Sequence, residues 1–200
     1  MSELKAEQLS FLSRGPYNFG VSGKMIMGLS GVSGSGKSLL LRALCDLEPH
    51  SGRITLGETD SQNISGPEWR RRVAFMPAES LWWHETAGLH FAKSPQADWL
   101  NALGFSDDVM TWEISRLSSG EKQRLALLRL LQNKPLALLL DEPTASLDPK
   151  NAQAVEKFIV NYLEAHDAPS LWVSHDHEQL ARVASQHCEI LPGGEMRRLR

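Results

Sequence analysis

Residues 31–38 read GVSGSGKS, a glycine-rich run that closes on a lysine and a serine. Glycine, four residues, then glycine, lysine and serine is the spacing of a loop whose backbone N–H groups wrap around phosphates. Gly31, Gly34 and Gly36 let the backbone approach closely, and Ser33, Ser35 and Leu39 complete the cradle. Lys37 has the reach for β- and γ-phosphates, and the Ser38 hydroxyl suits Mg²⁺. A helix opening at this point adds partial positive charge from its N-terminus. Further along, LALLLDEP sets Asp141 and Glu142 at the C-terminal end of an apolar run, where sheets bind ligands. Asp141 suits the water shell of Mg²⁺, and Glu142 is placed to polarise a water against a γ-phosphate.

Such groups need a sheet to hold them. KMIMGLSG is a short apolar run ending in glycines, which predicts a buried strand feeding the loop. KSLLLRALCDLEP follows with Leu40, Leu44 and Leu47 at helical spacing and Pro49 past the end. GRITLG at 52–57 and RRVAFM at 71–76 read as strands. From Ser80 to about Ser115 the pattern turns irregular and helical, with breaks at Pro95 and Gly104. GEKQRLALLRLLQN predicts an amphipathic helix ended by Asn133 and Pro135, and LALLL at 136–140 a strand covered on both faces. AQAVEKFIVNYLEAH predicts a helix, and SLWVSHD and CEILPGG predict closing strands. Strands alternating with helices predict an α/β fold, a mostly parallel sheet with helices on both faces.

The chain has 200 residues, 42% hydrophobic and 22% charged, the balance of one ordinary globular domain. A formal net charge of −3 gives no general attraction to nucleic acid or anionic lipid. The two cysteines, Cys45 and Cys188, make no disulfide framework and read as free thiols. The start, MSELKAEQLSFLSRG, lacks an apolar signal core, and no apolar run is long enough to span a bilayer.

RLSSGEKQRLALLRLLQ narrows the class. LSSGE at Leu117–Glu121 resembles the LSGGQ signature of ATP-binding cassette (ABC) ATPases. TASLD at 144–148 looks like that family's D-loop, and WVSHD like its switch-histidine strand. The motifs follow the family's order and cover most of the chain. The resemblance implies a P-loop NTPase of ABC type on one domain, 1–200, with a small antiparallel β part and a short helical subdomain at about 80–115. It implies ATP and Mg²⁺ as ligands and head-to-tail pairing with a second copy. The signature residues Ser118, Ser119, Gly120 and Glu121 would face the other copy's γ-phosphate, Asp148 would bridge the copies, and His175 would steady the γ-phosphate and attacking water. A membrane permease on a separate chain is the implied partner, with the subunit in the cytoplasm on the membrane's inner face. Nucleic acid is not expected as a partner.

This sequence departs from the family pattern at three places. Ser119 stands where glycine is usual. MPA replaces VPQ, so Ala78 takes the position of a glutamine that touches Mg²⁺ and the attacking water. Either that role is absent, or the neighbouring Glu79 supplies it. The segment before the phosphate loop is short, and Phe11 and Tyr17 are its candidates for stacking on adenine, each equally open to a core role.

Trp82 and Trp83 follow this loop as an adjacent aromatic pair that no helix or strand period requires. They read either as anchors for the membrane partner or as core of the helical subdomain. His175 and His177 alternate across a predicted strand end, too sparse a set for a metal site. A non-transport ABC ATPase acting on DNA or ribosomes, and a regulatory ATP-binding module with poor turnover, are the other functional readings.

Overall fold

The computed structural model describes residues 2–199. The chain opens with a hairpin, β1 (Glu3–Phe11) and β2 (Arg14–Ser22). β3 (Ile26–Ser30) leads through the glycine-rich loop into α1 (Lys37–Leu44). β4 (Ser51–Leu56), β5 (Thr59–Asp60), α2 (Gly66–Arg72) and β6 (Val73–Met76) follow. α3 (Ala97–Ala102) and several short 3₁₀ turns lead to α4 (Ser119–Leu131). β7 (Ala137–Asp141), α5 (Pro149–His166), β8 (Ser170–Val173), α6 (His177–Val183), β9 (Gln186–Ile190) and β10 (Met196–Arg198) complete the order.

Two sheets result. An antiparallel sheet has the order β2-β1-β4-β5, and a six-stranded sheet has the order β10-β9-β3-β8-β7-β6. The second is parallel except for β10, which pairs antiparallel with β9. Every residue of β3, β7 and β8 is buried, as a sheet covered on both faces requires. The period of two divides these strands between the faces. Leu138, Leu140 and Trp172 join the core beneath α4 and α5, while Ala137, Leu139, Leu171 and Val173 join the core that holds α1 and the antiparallel sheet. The loops at the C-terminal ends of β3, β7 and β8 therefore converge.

The structure corrects the predicted elements at several points. Arg71 and Arg72 belong to α2, which is capped by Ser65 and carries three arginines in its last turn, rather than to the strand that follows. Leu47 lies beyond α1 and is 42% exposed. The β1–β2 hairpin was not predicted, because irregular pairing breaks the alternation of β1 after Ala6 and after Leu9, and Gln8 has φ +51°. His177 opens α6 instead of prolonging a strand; the Asp176 carboxylate accepts from Gln179 N–H at 2.9 Å and starts that helix.

Candidate nucleotide site

At the end of β3 the chain turns at Gly31, whose φ is +140°. A Cβ there would collide with the Ile190 carbonyl, so only glycine fits. Gly36, at φ +105°, caps α1 from the left-handed region. The loop closes on itself: Ser35 N–H donates to Val32 O at 3.2 Å. The Lys37 ammonium donates to Gly31 O at 2.8 Å and Val32 O at 3.1 Å. Burial draws Lys37 below the ordinary lysine range, and the Glu142 and Asp141 carboxylates oppose that shift.

A cavity of about 260 Å³ lies over the loop. Ser33, Gly34, Gly36, Lys37, Ser38 and Leu39 form one wall, and Asp141, Glu142, Val173, His175 and Ala78 form the rest. Asp141 ends β7 and is buried. Glu142, one residue on, has φ +50° and donates its N–H to Val173 O at 3.1 Å. This turn takes its carboxylate off the strand line and into the cavity. Burial pushes that carboxyl above the usual range, with the nearby His175 opposing. His175 Nε2 stands 3.7 Å from Glu142 Oε1, too far for a hydrogen bond, and Oε1 is buried without a partner. The Ser35 hydroxyl is likewise buried and unpartnered. Backbone donors and a lysine fit a polyphosphate. The Ser38 hydroxyl and the Asp141 carboxylate are the hard oxygen donors that suit Mg²⁺.

The predicted signature residues lie elsewhere. Ser118 caps α4 in a reciprocal box: its hydroxyl accepts from Glu121 N–H at 3.2 Å, and the Glu121 carboxylate accepts from Ser118 N–H at 2.8 Å. Ser118 and Ser119 are exposed, Gly120 and Glu121 half-buried, and none lines the cavity. A Cβ on Gly120 would press on Leu147 and the Ser146 carbonyl, so the glycine lets α4 approach the 144–148 turn. Asp148 caps α5 by accepting from Asn151 N–H at 3.0 Å.

A family model described as ABC transporter matches residues 15–145, a span from β2 through the phosphate loop and signature to Asp141 and Glu142. This chain belongs to that family. It is an ATP-binding cassette of the ATPase type. Protein STAR1 of Oryza sativa subsp. japonica is 35% identical over 84% of the cassette and 52% of its own length. The cassette thus spans about half of that relative. The probable iron export ATP-binding protein FetA of Escherichia coli (strain K12) is 32% identical over 76% of the cassette and 73% of its own length. The fold matches a dimeric ATP-binding cassette captured in a post-hydrolysis state with ADP and Pi, at a TM-score of 0.79 and 20% identity over 98% of this chain and 99% of that one.

Within the cassette, Ala78 does reach the site, where it presents only a methyl group to the cavity. Glu79 is exposed and is not among the lining residues. Phe11 and Tyr17 take the core alternative rather than that of adenine platforms. Both are 3% exposed and stack on each other with ring centroids 5.5 Å apart, inside the antiparallel sheet. His177 sits 6.0 Å from the His187 ring, and no group of three metal-ligating side chains occurs among the described residues.

Two buried glutamines escaped the sequence reading. Gln123 of α4 donates from Nε2 to Glu142 O at 2.8 Å and accepts from Ser146 N–H at 3.2 Å. Gln179 of α6 donates to Thr144 Oγ1 at 2.7 Å and Glu156 Oε1 at 2.8 Å, and accepts from Trp172 Nε1 at 3.3 Å. They tie the signature helix and the helix after His175 to the turn that carries Glu142. The available signal was an uncharged polar residue on the apolar side of each helix.

Proposed function

We propose that the cassette binds ATP with Mg²⁺, hydrolyses it, and drives a separate membrane permease through head-to-tail pairing of two copies. The observation that carries this reading is the single cavity uniting the phosphate loop, Asp141, Glu142 and His175, with the signature turn exposed outside it. In the pairing, Ser118, Ser119, Gly120 and Glu121 of each copy close the phosphate site of the other, and Asp148 crosses between them. A serine-capped helix end is an anion cap that a lone copy cannot bring to its own loop.

Lys37 leaves the Gly31 and Val32 carbonyls to meet the β- and γ-phosphates. Ser38 and Asp141 would hold Mg²⁺, which when bound neutralises phosphate charge. Glu142 takes a proton from the attacking water, a role supported by its buried, unpaired Oε1. His175, 59% exposed in its side chain, moves against the γ-phosphate as the copies close. Residues 80–115 form the helical subdomain that receives the permease, with the exposed Trp83 on its surface. In this reading the subunit works in the cytoplasm, on the inner face of the membrane. Among the described residues no helix is long and apolar enough to cross it.

The methyl group of Ala78 favours a second reading, a cassette with slow turnover that serves regulation. Two measurements test these readings. In the Glu142→Gln variant with ATP and Mg²⁺, light scattering should report a doubled mass, and Ser118→Arg added to it should restore the monomer. A mass indifferent to ATP sinks the paired model. Turnover of the unmodified protein, alone and with its permease, decides between drive and regulation.

A further inference from the structure

The β1–β2 hairpin turns just before Arg14, and that side chain reaches the phosphate loop 20 residues away in sequence. Arg14 Nη1 donates to Ser35 O at 2.6 Å, and Nη2 donates to Gly34 O at 3.3 Å. The guanidinium lies over Gly36, where a Cβ would come within 3.0 Å of Nε and Cδ. On its other flank is Gly194, in the turn between β9 and β10, where a Cβ would come within 3.1 Å of Arg14 Cγ and Nη1. Two glycines on separate elements thus leave room for this one side chain. No ion pair between Arg14 and a carboxylate is found among the described residues; two of its N–H groups donate to the loop.

We infer that Arg14 is a positioning residue for the phosphate loop, setting its affinity for polyphosphate. This rests on the reading of the loop as the nucleotide site. A trans peptide points its C=O and N–H in opposite directions. Holding the Ser35 carbonyl outward therefore turns the Gly36 N–H away from the guanidinium, while holding the Gly34 carbonyl supports the peptide whose Ser35 N–H closes the loop on Val32 O. A cationic donor on a carbonyl also polarises that peptide, which makes its N–H a stronger donor. Arg14 thereby fixes and strengthens the donors of a loop whose glycines otherwise leave it free to rearrange.

The test uses Arg14→Met, which keeps the stem against Gly194 and removes the donors, and Arg14→Lys, which keeps one cationic donor. Titration calorimetry with ADP and with inorganic pyrophosphate reads binding, and steady-state ATPase reads KM against kcat. Arg14→Met should weaken both ligands by about tenfold or more, the scale of a lost charge-assisted hydrogen-bond pair. KM should rise by a similar factor, kcat should stay within about threefold, and Arg14→Lys should recover part of the loss. Unchanged pyrophosphate binding in Arg14→Met, with or without weaker ADP binding, overturns the inference. So does equal loss in the lysine variant, or a fall in kcat alone. If Arg14→Met does not fold, the lysine variant carries the decision: normal pyrophosphate affinity would then show only a structural arginine. Should Lys37→Ala leave pyrophosphate binding intact, the nucleotide site itself is misassigned, which is a separate failure.

Discussion

Gln123 Nε2 donates to the main-chain carbonyl of Glu142 at 2.8 Å, which links the signature helix α4 directly to the residue that faces the cavity. The same side chain accepts from Ser146 N–H, so one amide holds both ends of the turn after β7. The helix capped by the exposed Ser118 and the half-buried Glu142 are thus joined within one chain. Gln123→Glu keeps the acceptor but loses the donor, leaving a carboxylate against the Glu142 carbonyl. ATP turnover should fall about tenfold or more, while the affinity for ADP stays within about threefold, since a misplaced Glu142 costs chemistry and not phosphate binding. Turnover equal to that of the unmodified protein would remove Gln123 from this role.

The raised pKa of Glu142 gives a stability prediction with a definite sign. Its folded value lies above the unfolded value of 4.5, because burial penalises the charged form. The stability linked to its proton is therefore fully present below pH 4.5 and is lost as pH rises through the raised folded value. Glutamine is neutral throughout and keeps it. Glu142→Gln without nucleotide should melt higher than the unmodified protein at pH 7, and the difference should close as pH is lowered toward 4.5. An equal melting temperature across that range would mean that the carboxylate carries no burial cost.

Trp82 and Trp83 should separate in their effects, although they are adjacent. Trp82 packs against the core cluster, with the Arg129 guanidinium 4.4 Å from its ring centroid. Trp83 is 67% exposed. Trp82→Ala should cost about 2 kcal/mol, less than truncation of a fully buried aromatic. On a chain of this size that is a fall of roughly 4–8 °C in melting temperature. Trp83→Ala should cost within about 0.5 kcal/mol and should instead weaken co-purification with a permease. A large melting shift for Trp83→Ala would make it a structural residue.

Ala78 faces the cavity with no polar atom on its side chain. Ala78→Gln adds an amide that can orient the attacking water, and kcat should rise by about threefold to tenfold, with KM nearly unchanged. Glu79→Ala should change kcat by less than about twofold, because Glu79 does not line the cavity. A large loss in Glu79→Ala would restore that carboxylate to the site.

The phosphate loop, Asp141 and Glu142 were legible in the sequence because each is a local device. Fixed spacing along the chain sets the geometry of a turn, a strand end or a helix cap. The buried strands β7 and β8 were legible for a similar reason: a sheet covered on both faces needs unbroken apolar runs. The β1–β2 hairpin was not, since irregular register in β1 erases the alternation that marks a half-buried strand.

The paired tryptophans also needed the tertiary structure. Their loop is pinned by His90, whose Nε2 accepts from the N–H groups of Trp83 and His84 at 3.0 and 3.1 Å, and by Arg129, which donates to Leu81 O at 3.0 Å. The sequence by itself marked the phosphate-loop residues, Asp141, Glu142 and His175 that line one cavity, because short-range spacing encodes loops and strand ends. Only the tertiary structure decided which groups buttress them, Arg14, Gln123 and Gln179 among them. Those contacts join residues far apart in the chain, and packing alone brings them within hydrogen-bond distance.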